Sequence, residues 1–325
     1  MRILFICPNW ASLATPVLSE MKRQGHDVVH LDHKDFSSFS YDNSAHRMLS
    51  KAYQLICKKN YKHVRTKEQV SRTIDSFFIA REPFDAIIMT EPNLFERSQL
   101  EELKKHTRYL VATLWDSLTK SPDNGYDLDL FDYKFSYDEE DCKNHNLLKI
   151  NNYLDASWQS NKAYDKCEYD AFAIMSFTKE RYKKVVAFLD ANPQITPDIL
   201  FYIDNKRKRK YITDKRIKVV EKLLLGDELS ERLESSKAFL DILQGHQTGL
   251  SFRAYEAMGY KRKLITNNDS IKGYDFYNSD NIAIVGEDLR LPGEFFSSEY
   301  NEIPESITQG YTVSSWVSHV LGKLN

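Results

Sequence analysis

The sequence predicts an α/β protein of two Rossmann-like domains with a ligand cleft between them. Three observations carry that expectation. The chain has 325 residues, more than one compact core usually serves and enough for two domains of about 150 residues. Its opening reads strand, loop, helix, strand, the first unit of a doubly wound parallel sheet. The same alternation starts afresh near Tyr169.

The elements follow in order. Ile3 to Cys7 is a continuous apolar run, as a strand buried on both faces requires. After a loop with Pro8 and Asn9, ATPVLSEMKRQG has helical spacing and stops at Gly25; HDVVHLD is the second strand. Residues 44–81 read as strongly basic helix. FDAIIMT is a strand running into Glu91-Pro92-Asn93, SQLEELKKHT a helix, and RYLVATLW a strand ending at Asp116-Ser117. Past a polar loop at 118–127, YKFSYD and a segment near Ala156 supply the last short strands of a first domain, 1–165.

In a second domain, 166–310, YDAFAIMSF is a strand, KERYKKVVAFLDAN a helix and DILFYID a strand. RIKVVEKLL and ESSKAFLDILQ are short elements, strand or helix. A helix, the strand KLIT and the strand NIAIVG complete the series. The final segment, 311–325, has helical spacing and is expected to return to the first domain.

Composition excludes several classes. Hydrophobic content of 42% with 28% charged residues describes a soluble, ordered chain. With 45 basic against 47 acidic residues the net charge is −2, so no overall field draws the protein to nucleic acid. Cys7, Cys57, Cys142 and Cys167 form no CxxC pair and no metal spacing, which favours free thiols in a reducing compartment. No run of 18 apolar residues occurs and the apolar start is too short for a secretory signal, so a cytoplasmic location is expected. The many aromatics, 19 Tyr, 18 Phe and 4 Trp, suit stacking on sugars or bases and equally follow from AT-rich coding.

The stretch GLSFRAYEAMGYKRKLITNN, residues 249–268, raises a packing question. Ala254, Ala257 and Met258 have the i, i+3, i+4 spacing of a core face, which places Arg253, Glu256 and Tyr260 on a neighbouring face. Gly249 and Ser251 precede the helix and are expected to leave backbone N–H groups open to an anion. Arg253 could then neutralise a diphosphate and Glu256 accept hydrogen bonds from a ribose or sugar hydroxyl. The competing reading is an ordinary Arg–Glu surface pair of little energetic consequence.

That stretch, with IKGYDFYNSDNIAIV after it, resembles the C-terminal signature of a group of bacterial surface-polysaccharide (capsule and lipopolysaccharide) glycosyltransferases of GT-B architecture. A second block, WDS at 115–117 followed by LFDYKFSYD, is similar to the same group's Trp-Asp-Ser loop, and YDAFAIMSFTKER extends the likeness. The resemblance implies that Arg253 and Glu256 hold the donor's phosphates and its ribose or sugar. It also places Asn267 and Asn268 at a ligand-facing strand end, with Gln247 and Ser251 beside them. One departure stands out: where such transferases commonly carry a glycine after the YDAFAIM strand, this chain has Ser176 and Phe177. Either the Ser176 hydroxyl substitutes or donor binding differs. The loop PNWASLATP likewise lacks a glycine pair.

Two acidic residues close first-domain strands. Asp116 follows RYLVATLW and Glu91 follows FDAIIMT; either is a candidate general base for an acceptor hydroxyl, and each has the alternative of an ordinary turn or cap residue. Asp138 is a weaker candidate. Asp127-Leu-Asp129 imitates a metal-binding DxD motif but follows the turn-like SPDNGY, so it reads as solvated loop and no obligatory metal or other cofactor is expected. His30 and His33 flank a strand end as structural or exposed residues. The run Lys206 to Lys210 is either a solvated loop or a contact for anionic membrane lipid or a lipid-linked acceptor.

The expected function is metal-independent transfer of a sugar from a nucleotide sugar to an oligosaccharide, lipopolysaccharide or lipid-linked acceptor, in the cytoplasm or peripherally at the inner membrane. The alternatives are a non-catalytic sugar-nucleotide-binding or assembly protein of the same fold and a GT-B-fold epimerase.

Overall fold

The structure, a computed structural model, describes residues 1–9, 12–37, 41–58, 60–118, 127–243 and 247–324. The chain divides into two compact units. The first holds Met1–Ser136, Asp141–Lys149 and the residues from Val320 on; the second holds Tyr137–Glu140 and Ile150–His319.

The first unit carries strands β1 (Arg2–Ile6), β2 (Asp27–Leu31), β3 (Phe84–Met89), β4 (Thr107–Leu114), β5 (Tyr133–Ser136) and β6 (Leu148–Lys149). They form one all-parallel sheet in the order β2-β1-β3-β4-β5-β6. Its helices are α1 (Ala14–Arg23), α2 (His33–Ser37), α3 (Ser44–Cys57), α4 (Tyr61–Phe78) and α5 (Arg97–Lys105), with α6 (Glu139–His145) after β5. β1 from Ile3 and β3 from Ala86 are buried on both faces, which is why those stretches read as unbroken apolar runs. Helix α4 buries Val70, Ile74 and Phe78, a spacing of four that keeps one stripe on the sheet.

The basic segment expected to be one helical stretch over 44–81 is two helices. Lys58 adopts a left-handed conformation at the end of α3, and the Asn60 side chain then accepts from His63 N at the start of α4. Behind β5, the buried Asp141 carboxylate accepts from Leu118 N at 2.8 Å and from the Ser136 and Ser117 hydroxyls at 3.2 and 3.3 Å. The strand expected near Ala156 is absent: Ala156 sits in a turn, and Leu154 forms only a single bridge to Thr312. Two-residue β6 occupies the sheet edge instead, too short to show a period.

The second unit carries β7 (Tyr169–Ser176), β8 (Pro197–Tyr202), β9 (Ile217–Val220), β10 (Ser236–Asp241), β11 (Lys263–Thr266) and β12 (Ile282–Ile284). They too form one parallel sheet, in the order β12-β11-β10-β7-β8-β9. Helices α7 (Lys179–Ala191), α8 (Asp227–Glu234), α9 (Phe252–Gly259), α10 (Glu305–Thr308) and α11 (Val313–Leu321) follow in chain order. The open choice between strand and helix resolves to strand β9 within RIKVVEKLL and strand β10 within ESSKAFLDILQ. From β7 the chain winds outward through β8 and β9, then returns to lay β10 against the other edge of β7 and continues to β11 and β12. The winding direction therefore reverses between β7 and β10, where open α/β sheets place ligands, outside the strand carboxyl ends.

Helix α9 sits on this sheet with Ala254, Tyr255, Ala257 and Met258 in a core that includes Phe172, Phe239 and Leu264. Its last residue approaches the chain closely: a Cβ on Gly259 would lie 2.7 Å from both the Trp158 Cβ and carbonyl oxygen and 2.8 Å from Leu154 Cδ1. Gly259→Ala is expected to destabilise the protein by about 1–3 kcal/mol through overpacking, measured as a lowered urea midpoint; an unchanged midpoint would show that the contact relaxes freely.

Candidate functional site

The site grows from the reversal between β7 and β10. β10 closes on Asp241, whose Oδ2 accepts from the Ser251 hydroxyl at 2.8 Å. The same hydroxyl oxygen accepts from Arg253 N at 3.1 Å and so caps α9. One short polar side chain thereby fixes the start of α9 to the end of β10.

Arg253 and Glu256 lie a turn apart on α9. Arg253 Nη1 is 2.5 Å from Glu256 Oε2, an ionic contact whose alignment makes no hydrogen bond. Each side chain keeps 14% of its surface exposed, so this is not the solvated surface pair that spacing alone allowed. The guanidinium lies over the rings of Phe172 and Phe239, 5.6 and 5.7 Å from their centroids, packed against the strands on either side of the reversal.

Arg181, from the first turn of α7, closes the other side. Its Nε donates to Ile242 O at 3.2 Å and its Nη1 to Ser176 O at 3.3 Å, bridging the carboxyl ends of β10 and β7. Burial holds its pKa below the ordinary arginine value, against the pull of Asp241 and Glu180. Burial also raises the Asp241 carboxyl, opposed by the Ser251 hydrogen bond and by Arg253 and Arg181. Glu256 is raised by burial too, with Arg253 opposing and Asp241 adding. Two guanidinium and two carboxyl groups thus share one poorly solvated strand edge.

Three of the amides at the start of α9 are engaged. Asp138 Oδ2 accepts from Thr248 N at 2.8 Å and Gly249 N at 3.2 Å, and Arg253 N is held by Ser251. Gly249 has little room: a Cβ there would lie 2.6 Å from the Tyr137 carbonyl oxygen.

The remaining sequence candidates are placed as follows. Asn267 Oδ1 accepts from Leu243 N at 2.8 Å. Asn268 is buried; its Nδ2 donates to Thr248 O and Gly249 O at 3.3 and 3.2 Å, and its Oδ1 accepts from Ser270 N at 3.1 Å. Asn268 thus holds the loop that leads into α9. Gln247 is half-buried in that loop, and Ser176 is exposed at the end of β7.

In the first unit, Asp116 follows β4 and is half-buried. Glu91 follows β3, with Oε2 3.0 Å from His33 Nδ1. Cys7 is buried close by, its Sγ 3.5 Å from His30 Nε2. Burial drives that thiol far above its ordinary pKa, with the charges of Asp32 and Glu91 adding to the effect, which removes it as a nucleophile.

The Asp127 and Asp129 carboxylates both meet Arg97, at 3.2 and 2.7 Å. Among the described residues no group of three or more His, Cys, Asp or Glu side chains is placed to hold a metal ion. In the basic run, Lys206 and Arg209 pair with Glu221 at 3.5 and 3.1 Å and Lys208 with Asp204 at 2.6 Å. Among the described residues no helix is long and apolar enough to cross a membrane.

Sequence reasoning missed Arg181 and Asp241. Asp241 had a signal, an acidic residue closing the apolar strand KAFLD; Arg181 lies in the block MSFTKER without any spacing that marks it.

No known family profile matches the chain, and no curated protein matches it in sequence. Solved structures do. The UDP-GlcNAc 2-epimerase of Methanocaldococcus jannaschii is 13% identical with a TM-score of 0.55, over 100% of this chain and 99% of that one. The UDP-forming α,α-trehalose-phosphate synthase of Burkholderia xenovorans is 11% identical with a TM-score of 0.58, over 99% and 98%. AviGT4, a glycosyltransferase involved in avilamycin A biosynthesis, is 8% identical with a TM-score of 0.57, over 100% and 97%. At such identities the likeness establishes the fold, which is GT-B-like.

The raised carboxyls set a pH dependence. The native state holds protons on Asp241 and Glu256 that the unfolded chain releases near pH 4. Their contribution to stability therefore falls as pH rises from that point and levels off once both are ionised in the native state. Urea midpoints between about pH 4 and 8 should show wild type losing stability relative to Asp241→Asn or Glu256→Gln as pH rises, since the amides keep the uncharged form throughout; parallel profiles would mean that neither group titrates abnormally.

Proposed function

We propose that the protein is a glycosyltransferase that uses a nucleotide-sugar donor, with the donor diphosphate at the β7/β10 edge of the second unit. The observation that supports this most is the Arg181, Asp241, Ser251, Arg253 and Glu256 cluster at the carboxyl edge where the winding reverses. A structural ion pair has no need of that position, whereas a diphosphate ligand does.

In this reading Arg253 and Arg181 neutralise charge as the nucleoside diphosphate leaves, the task a metal performs in other transferases. Glu256 orients Arg253 and accepts from a ribose or sugar hydroxyl, and Gln247, Asn267 and Ser176 border the same edge. Asp116 or Glu91 takes the acceptor proton. The acceptor is a surface-polysaccharide or lipopolysaccharide intermediate, free or lipid-linked, on the cytoplasmic side of the membrane.

A second reading, sugar-nucleotide epimerisation, draws on the fold shared with an epimerase. A third, binding without turnover, draws on Ser176 and Phe177 standing where a glycine was expected.

The test pairs ligand-induced thermal shifts with turnover over a panel of nucleotide sugars and acceptors. Transfer that depends on acceptor supports the lead reading. Conversion of the donor's sugar without acceptor gives the epimerase, and binding without either reaction gives the non-catalytic protein. Arg253→Ala and Glu256→Ala should weaken donor binding by about 2 kcal/mol, roughly 30-fold. Unchanged binding in both variants would remove the donor from this edge.

A further inference from the structure

Helix α3 is built inside out. Ser50 alone among its residues is buried. Met48, Leu49, Leu55 and Ile56 are 75%, 68%, 81% and 81% exposed, and Ala45 and Ala52 are exposed with them. These six positions fall within about a third of the helix circumference at 3.6 residues per turn, so they form one continuous apolar face. The opposite face carries the contacts. His46 Nε2 is 3.0 Å from the Tyr61 hydroxyl, the Tyr53 and Tyr61 rings are 5.2 Å apart, and Ser50 donates to Arg47 O at 2.8 Å. The helix therefore docks on α4 through polar and aromatic groups and turns its aliphatic residues outward. Single exposed aliphatics are ordinary, but a contiguous patch marks a surface meant to be covered.

The charge around this face selects what covers it. Residues 43–67 contain no Asp or Glu. Lys51 flanks the apolar face one turn before Leu55, and Lys58 caps the end of α3. We propose that α3 lies in the plane of an anionic phospholipid bilayer, with Met48, Leu49, Leu55 and Ile56 among the acyl chains and Lys51 and Lys58 at the headgroups. At 14 residues the helix is about 21 Å long, a size that lies along a membrane surface and does not span it. Lys206 to Lys210 are a poorer anchor, because three of those five side chains pair with Glu221 and Asp204 and the exposed apolar group adjoining them is a single aromatic, Tyr211.

The inference is independent of the proposed reaction, since it is read without donor or turnover. The full chain is sedimented with vesicles of phosphatidylcholine containing roughly a third phosphatidylglycerol, and with vesicles of phosphatidylcholine alone. Wild type should pellet with the anionic vesicles and about tenfold less with the neutral ones. Leu55→Ser with Ile56→Ser, and separately Lys51→Gln with Lys58→Gln, should each lower partition about tenfold while the far-ultraviolet circular dichroism and urea midpoint stay unchanged. Neutralising Lys206 to Lys210 should leave partition intact. No binding by wild type, equal binding to both vesicle types, unchanged binding by the α3 variants, or loss on neutralising Lys206 to Lys210 would overturn the proposal. So would a dimer in sedimentation velocity that the Leu55→Ser, Ile56→Ser variant dissolves while vesicles capture neither protein, because a second copy would then cover α3.

Discussion

The site in the second unit hangs on one hydroxyl group. Ser251 Oγ donates to Asp241 at the end of β10 and accepts from Arg253 N at the start of α9. Through those two bonds the direction of α9 is set against the strand edge, and with it the placement of Arg253 and Glu256. Upstream, Asp138 and Asn268 hold the loop that delivers the chain to Ser251. Downstream, Gly259 lets the last turn of α9 approach Trp158 and Leu154. Polar bonds fix one end of a short helix and a missing Cβ fixes the other.

That rigidity has a cost in solvation. Four ionisable groups share an edge with little water, and burial shifts Asp241, Glu256 and Arg181 toward their neutral forms. Buried ion pairs of this kind seldom add net stability, and an isosteric apolar set often packs as well. Their position at the reversal of a parallel sheet suits recognition of a charged ligand more than support of the fold. A similar logic applies to α3, where an outward aliphatic face gives up burial that an inward one would gain.

The architecture was largely legible because parallel strands buried on both faces leave unbroken apolar runs, as in LFIC, AIIM and AFAI, and helices between them show their own period. The misses have local causes. β6 has two residues and no period, while the basic segment over 44–81 hides its break at Lys58, a residue type with no preference for the left-handed backbone it adopts. At the site, spacing singled out Arg253 and Glu256 but not how deeply they are held, since burial depends on β7 and β10 passing beneath them. Arg181 came from a different element altogether, and only the sheet order brings it to Asp241. The amides of Thr248 and Gly249 looked open because their partner, the Asp138 carboxylate, lies more than a hundred residues away in sequence.

The proposed donor site requires a nucleoside diphosphate to bind at the β7/β10 edge of the second unit. Hydrogen–deuterium exchange with and without saturating nucleoside diphosphates locates that contact without assuming a donor sugar, an acceptor or a reaction. Slowed exchange is expected to be confined to the end of β7 with the first turn of α7, residues 176–182, and to the loop and start of α9, residues 247–254. Protection at the strand ends carrying Glu91 and Asp116 in its place, or no protection by any nucleotide, would contradict it.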